Sequence, residues 1–282
     1  MAQEINKDNE VKLVHIQHEF GLFGGEYGNY LLAFLAEINK PVAFTFHSVI
    51  PNPNLELKLF LQQLVSYAVS VFVMTKQSQK ILMENYDIKE EIIAFMPHGT
   101  HLVKYENPDE LKKKFHFENR TILSTFGLLS EGKSIETALK ALPEIIEHTP
   151  NILYLVIGKT HPNSIVNNID EYRNYLTNLV NELQLQNHVL FIDRYLDLQE
   201  LLDYLLVTEI YLFTSKDPNQ AVSGTCAYAM SCACPIIATS IPHTREVLSS
   251  NIGLIFDIGN SQQLAKATKQ LLANSDLRES MA

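Results

Sequence analysis

The sequence predicts an α/β protein built from two doubly wound, Rossmann-like layers. Three observations carry this prediction. Ten short apolar runs alternate with helical stretches along the 282 residues, which is the βαβ pattern of right-handed crossovers. Several runs are continuous Val, Ile, Leu and Phe, as in parallel strands covered on both faces. A polar stretch divides the runs into a group of four and a group of six.

The first group comprises candidate strands at 11–16, 41–46, 69–74 and 91–96, with helix-like segments at 27–39, 54–67 and 76–86. The polar stretch then runs from His101 to Glu118. It holds Pro108 and the run Lys112-Lys113-Lys114, which reads as the solvated end of a short helix. The second group comprises strands at 120–126, 152–158, 188–192, 209–213, 235–239 and 252–256. Its helices are expected at 134–148, 168–186, 197–206, 224–233 and 261–273. The 168–186 segment places Tyr172, Tyr175, Leu176, Leu179 and Leu183 on one face, and 261–273 opens with Ser261 as its expected N-cap. The expected domains are 1–107 and 119–282, joined by a linker at 108–118. A doubly wound layer has about six strands. The second group fills one, whereas the first is expected to be truncated.

Composition excludes several function classes. Hydrophobic residues make up 46% and charged residues 19%, a globular balance. The net charge of −10 is spread, with 7 basic against 11 acidic residues in 1–100 and 15 against 21 beyond. An acidic chain without a basic face is a poor nucleic-acid binder. No apolar stretch approaches the ~20 residues of a membrane span. Residues 1–10 are polar and lack a signal-peptide core, so a cytoplasmic location is expected. Cys226, Cys232 and Cys234 lie in an apolar run without a Cys-x-x-Cys pair, which points to core packing and not to a disulfide or a metal site.

In doubly wound sheets, ligands bind outside the carboxyl ends of the strands. The first strand is followed by a loop with Gly21, Gly24, Gly25 and Gly28, which frees the backbone to approach a ligand or simply to turn. The second strand ends in His47 and Ser48, and an imidazole there can orient or deprotonate a hydroxyl. The fourth ends in Pro97-His98-Gly99. His15, inside a strand, is expected to be a core or packing residue.

The fifth strand runs into Gly127-Leu128-Leu129-Ser130-Glu131-Gly132-Lys133-Ser134. This matches the Walker A pattern, and Val189-Leu190-Phe191-Ile192-Asp193 is a Walker B-like partner. A P-loop nucleotide hydrolase is therefore one reading. Bulky Leu128 and Leu129 and acidic Glu131 count against it, but either way Lys133 is placed near a phosphate. Gly158 closes the neighbouring strand. In the segment 214–228, Ser223-Gly224-Thr225 opens a helix. Its small residues make either a diphosphate cradle or an ordinary N-cap. Arg194, after the third strand of this group, could pair a phosphate bidentately or form a surface salt bridge.

The run Ala229-Met230-Ser231-Cys232-Ala233-Cys234-Pro235-Ile236-Ile237-Ala238-Thr239, together with Ser223 to Thr225 and Glu246, resembles the nucleotide-binding signature of the GT-B glycosyltransferases of retaining family 4 (group 1). Leu13 to Glu19 with its glycine turn, Phe44-Thr45-Phe46-His47, Met96-Pro97-His98-Gly99 and Phe126 to Lys133 extend the resemblance over most of the chain. It implies transfer of a sugar, as by a hexosyltransferase, from a UDP- or GDP-sugar to a carbohydrate or lipid-linked acceptor, with retention and without a metal or other cofactor. It implies catalytic roles for His47 and Lys133. Donor contacts would come from Gly127, Lys133, Gly158, Arg194, Gln220, Ser223, Gly224, Thr225 and Tyr228. Acceptor contacts would come from Gly24, Gly25 and His98. The family's Arg before the loop lysine is Leu128 here, and its two Glu are Gln220 and Tyr228, as in a divergent subfamily. A partial homologue that binds nucleotide with little turnover is the remaining alternative.

Overall fold

The structure is a computed structural model that describes residues 1–166, 169–218, 220, 222–248 and 252–282. Contacts divide the chain into two compact units. The first is Met1–His98 with 219–223, and the second is Gly99–Pro218 with Gly224–Ala282.

The first unit carries a parallel sheet in the order β1 (Val14–His18), β2 (Val42–Phe46), β3 (Ala68–Val73), β4 (Ile93–Phe95). Its helices are α1 (Ala2–Lys7), α2 (Leu31–Glu37), α3 (Leu55–Ser66) and α4 (Lys76–Tyr86). Every residue of β2 is buried, which explains its unbroken apolar run. α3 starts where the Asn54 side chain accepts from Leu57 N–H at 2.8 Å. It buries Leu57, Phe60, Leu61, Leu64 and Val65, a 3.6-period stripe, against the sheet. The single helix expected at 27–39 is split. Tyr27 and Gly28 have φ of +55° and +86°, so a 3₁₀ turn at Glu26–Gly28 precedes α2.

The second unit begins with α5 (Pro108–Phe115) and carries a six-stranded parallel sheet. Its strands are β5 (Thr121–Phe126), β6 (Ile152–Ile157), β9 (Val189–Ile192), β10 (Ile210–Phe213), β11 (Ile236–Thr239) and β12 (Gly253–Phe256). Two short antiparallel strands, β7 (Ile165–Val166) and β8 (Ile169–Asp170), lie between β6 and β9 in the chain. The sheet order is β12-β11-β10-β5-β6-β9. The chain winds outward from β5 through β6 to β9, then returns to the other side of β5 at β10. The switch point therefore lies between β5 and β10, where doubly wound sheets place their ligands.

Helices α6 (Ile135–His148), α7 (Glu171–Glu182), α8 (Leu198–Leu206), α9 (Gly224–Ser231), α10 (Pro242–Val247), α11 (Ser261–Ala273) and α12 (Ser275–Met281) complete this unit. Leu139, Leu142 and Ile145 of α6 share a core with Leu264 and Leu271 of α11, all five fully buried. Burying each such side chain is worth roughly 1.5–3 kcal/mol. The α11 N-cap is Asn260, not Ser261: its side chain accepts from Gln263 N–H at 3.0 Å, one residue earlier than expected. α7 is shorter than the expected 168–186, and residue 168 lies outside the described residues. The lysine run is not simply solvated. Lys112 pairs with Glu209, Lys114 reaches the buried Asp203 carboxylate at 2.6 Å, and Phe115 stacks on Tyr204 at 4.1 Å. The three cysteines are free and buried, as core residues. Burial pushes Cys226 and Cys232 up to about 12 and 11.

Candidate functional site

In the second unit the site is built at the switch point. β5 ends at Phe126, and Gly127 turns away with φ +127°. A methyl group on Gly127 would stand 3.2 Å from Thr225 Cγ2 and 3.9 Å from Lys133 Nζ, so these three residues converge. Lys133 ends the 3₁₀ turn Glu131–Lys133, and Ser134 (φ +49°) passes the chain into α6. The turn is held from the β10 side. Thr214 Oγ donates to the Lys133 carbonyl at 2.6 Å, and Lys216 N–H donates to the Gly132 carbonyl at 2.9 Å. Burial lowers the Lys133 pKa, and no carboxylate pairs with its ammonium among the described residues. A half-buried cation without a counter-ion favours an anionic ligand.

Thr225 occupies the first turn of α9, and the buried Tyr211 hydroxyl bonds to it. Ser223 is buried just ahead of the helix, next to Gly224. The first turn of α9, at Thr225, thus lies on the side where Lys133 and Gly127 converge. Tyr228, one turn on, packs edge-on against Phe126 at 6.1 Å and beside His101 at 5.8 Å. Gln220 is half-buried and donates to the Val222 carbonyl at 3.1 Å. Residues 219 and 221 lie outside the described residues. Gly158 is required by packing: its φ is +121°, and a Cβ there would lie 2.3 Å from the Gly127 carbonyl oxygen. The Arg173 guanidinium bonds the Gly158 carbonyl at 2.9 Å and Asp193 at 3.1 Å, so the Walker B-like aspartate is held by an arginine.

The loop 127–134 does not fold as a P-loop. A P-loop turns its N–H groups toward phosphate. Here Gly127 N–H goes to the Ile157 carbonyl, Leu129 N–H to Lys159, Lys133 N–H to Ser130 and Ser134 N–H to Glu131. Ile135 N–H, at the start of α6, is taken by the Tyr172 hydroxyl at 2.9 Å, which donates in turn to Glu136 at 2.6 Å. Arg194 lies outside the Lys133 cluster. Its guanidinium grips the Glu200 carboxylate at the surface, with one contact at 2.6 Å, the salt bridge that was the alternative expectation.

The first unit places a second group of polar side chains at the carboxyl ends of its strands. His47, just past β2, has its Nε2 2.8 Å from Gln17 Oε1. Ser48 Oγ donates to Glu19 Oε2 at 2.6 Å, and Phe20 N–H donates to the other Glu19 oxygen at 3.0 Å. Burial lowers the His47 pKa, the Glu19 charge raises it, and His98 lowers it, so Glu19 and His98 both lie near His47. Gly24 and Gly25, both with positive φ, are covered by the Tyr30 ring: a Cβ on either would meet ring carbons at 2.9 Å. His15 is not a core residue. It is exposed beside Thr45, and His18 is the buried histidine of this strand. The strand starts three residues later than expected, and its inward positions are 16 and 18.

Reasoning from the sequence missed Gln17, Glu19, Thr214 and Tyr172. Gln17 alternates along β1 with buried residues and Glu19 directly follows the strand, a pattern visible once the strand's register is known. Thr214 and Tyr172 act across tertiary contacts that no local pattern marks.

Residues 106–282 match the family model of the glycosyl transferases group 1. The chain belongs to this family. The Bacillus subtilis spore coat protein SA is 25% identical over 174 residues, which is 61% of this chain and 44% of that protein. The chain therefore matches less than half the length of that curated relative. The fold of Anabaena HepE, crystallised with UDP, superposes with a TM-score of 0.78 at 17% identity, covering 99% of this chain and 74% of that one. A glycosyltransferase from Rickettsia africae gives 0.75 at 20% identity, over 99% and 71%. Sucrose-phosphate synthase from Thermosynechococcus elongatus gives 0.74 at 20%, over 96% and 66%. The expected GT-B architecture of two Rossmann-like domains is the fold of this group 1 chain. Among the described residues no helix is long and apolar enough to cross a membrane.

Proposed function

We propose that this group 1 chain transfers a sugar from a nucleoside diphosphate sugar, with UDP or GDP as carrier, to a hydroxyl of a carbohydrate or lipid-linked acceptor, retaining the anomeric configuration. The observation that carries the reading is the Lys133 ammonium. It is half-buried, without a carboxylate partner among the described residues, and it converges with Gly127 and Thr225 at the start of α9. HepE was crystallised with UDP and with UDP-glucose, which supports a nucleotide-sugar donor for this chain too.

In this reading the diphosphate sits against the α9 N-terminus, with Ser223, Gly224 and Thr225 as the cradle. Lys133 neutralises the charge that develops on the leaving group, and the helix adds its dipole, so the stabilisation needs no metal ion. Gly158 lets the end of β6 pack directly on Gly127, which stays bare beside Lys133 and Thr225 where the donor approaches, and Gln220 and Tyr228 contact its sugar and nucleoside. His47, with His98 and the glycine loop, serves the reacting hydroxyl on the acceptor side. Arg194, held by Glu200, is left out of this assignment.

Calorimetry with a panel of nucleotide sugars tests the proposal, followed by NMR of the product made from the best donor. Binding of one sugar diphosphate that Lys133→Ala weakens, and a product with the donor's anomeric configuration, support it. Magnesium-dependent ATP or GTP binding without preference for a sugar diphosphate would revive the hydrolase reading. Donor binding without transfer or hydrolysis would leave the nucleotide-binding homologue.

A further inference from the structure

The hydrogen bonds around His47 form a chain whose directions can be worked out from one buried hydroxyl. Thr45 is 4% exposed, and its Oγ lies 2.8 Å from His15 Nε2, its side-chain partner among the described residues. A buried hydroxyl proton left without an acceptor is costly. Thr45 therefore donates, His15 Nε2 accepts, and the His15 proton sits on Nδ1.

Gln17 is two residues beyond His15 on the same face of β1. Its Nε2 lies 3.4 Å from His15 Nε2. Because that nitrogen is already an acceptor, only the donor end of the carboxamide suits it. The other end, Oε1, is then committed to His47 Nε2 at 2.8 Å, and a carbonyl oxygen can only accept. His47 must be the donor.

We infer that Thr45 and Gln17 hold His47 in its Nε2–H tautomer, so that Nδ1 carries the lone pair offered to an acceptor hydroxyl; this last assignment rests on the transferase reading. Gln17 and Thr45 are positioning residues. The carboxamide cannot ionise, so the chain moves no charge to His47, and the imidazole takes up a proton only at Nδ1. The ionisable groups that face it are Glu19, His98 and His18. Glu19 is itself held by Ser48 and by the Phe20 N–H.

The experiment is long-range proton–nitrogen NMR of the full ¹⁵N-labelled chain at pH 8 without substrate, with the His47 signals assigned by His47→Gln. The expected result is a protonated Nε2 and a bare Nδ1 in the wild type. Gln17→Leu removes the acceptor and is expected to give a mixture of tautomers. Thr45→Val frees the carboxamide to reverse and is expected to raise the Nδ1–H fraction. Gln17→Glu puts a carboxylate on Nε2 and is expected to raise the His47 pKa by about one unit or more. The acid limb of the transfer rate should shift by the same amount, which Gln17→Leu does not reproduce. A wild-type His47 protonated on Nδ1 overturns the inference, as does a tautomer unchanged in both Gln17→Leu and Thr45→Val. Should the tautomer come out as expected while His47→Ala transfers sugar at the wild-type rate, the role of His47 in transfer falls and its tautomer stands.

Discussion

The Thr214 hydroxyl donates to the backbone carbonyl of Lys133 at 2.6 Å, joining the loop after β10 to the loop after β5 across the switch point. This bond ties the residue that carries the candidate phosphate ligand to the strand on the other side of the switch. Thr239 Oγ extends the tie, donating to the Ser215 carbonyl at 2.6 Å. The backbone that carries the ammonium is thus held by a chain of backbone acceptors and threonine hydroxyls anchored in three neighbouring strands.

Lys133→Ala is expected to weaken UDP binding roughly 10- to 100-fold, the range of a lost charge-assisted hydrogen bond of about 1.5–3 kcal/mol. Thr214→Val keeps the ammonium and loosens its support, so a smaller loss of roughly fivefold is expected, as for a neutral hydrogen bond of about 1 kcal/mol. Calorimetry with UDP checks the ranking. Equal losses would mean that Thr214 itself touches the ligand.

Gly158→Ala should destabilise the second unit sharply. The new methyl would stand 2.3 Å from a backbone oxygen of Gly127, in a conformation (φ +121°) that side chains rarely adopt. Strain and displacement together are worth roughly 2–4 kcal/mol. For a unit of this size that is a fall of roughly 5–15 °C in Tm. Gly132→Ala is the comparison, since its nearest neighbour would be the Ser130 hydroxyl at 3.7 Å, and it should stay within ~0.5 kcal/mol of wild type. Equal melting temperatures for the two variants would contradict the close approach of the strand ends.

Arg194→Ala should leave UDP affinity within about twofold of wild type, because Glu200 already occupies both arms of the guanidinium. A tenfold loss in the same titration would show that ligand pulls Arg194 out of this pair.

Strand number and order of appearance were legible from the sequence because buried parallel strands are marked by uninterrupted apolar runs. All ten expected strands are present, each displaced by no more than three residues. The displacement matters most in β1, where a shift of inward positions exchanges the environments of His15 and His18. The segments around Gly127, Lys133 and Thr225 were legible because their position after a strand is a local property. Arg194 was misleading for a physical reason: charge and position invite a phosphate, but its partner Glu200 is one helical turn into α8, at a distance that sequence spacing alone does not make decisive. The Tyr172 cap on α6 is a contact across 37 residues of chain, which no periodicity announces.

His18 should make the first unit acid-sensitive. The imidazole is fully buried among Phe20, Phe23, Phe44 and Phe46, and neither ring nitrogen has a hydrogen-bond partner among the described residues. Burial first, and then the neighbouring His47, lower its pKa to about 4. The unfolded value is about 6.5, so between pH 6.5 and 4 the unfolded chain binds a proton that the folded unit refuses. The stability is therefore fully present above pH 6.5. It declines as the pH falls toward 4, by about 3 kcal/mol in all, and this contribution levels off below that. The chain has no Trp to report on the unit by fluorescence, so hydrogen exchange of β1 and β2 peptides at pH 7 and pH 4.5 is the suitable measurement, with β5 and β6 as internal reference. The β1 and β2 amides should lose protection by roughly 2–3 kcal/mol of opening free energy relative to the reference. His18→Leu, which fills the aromatic cage without a titrating group, should abolish that difference. A wild-type β1 that keeps its full relative protection at pH 4.5 would show that His18 finds a proton acceptor or water in solution.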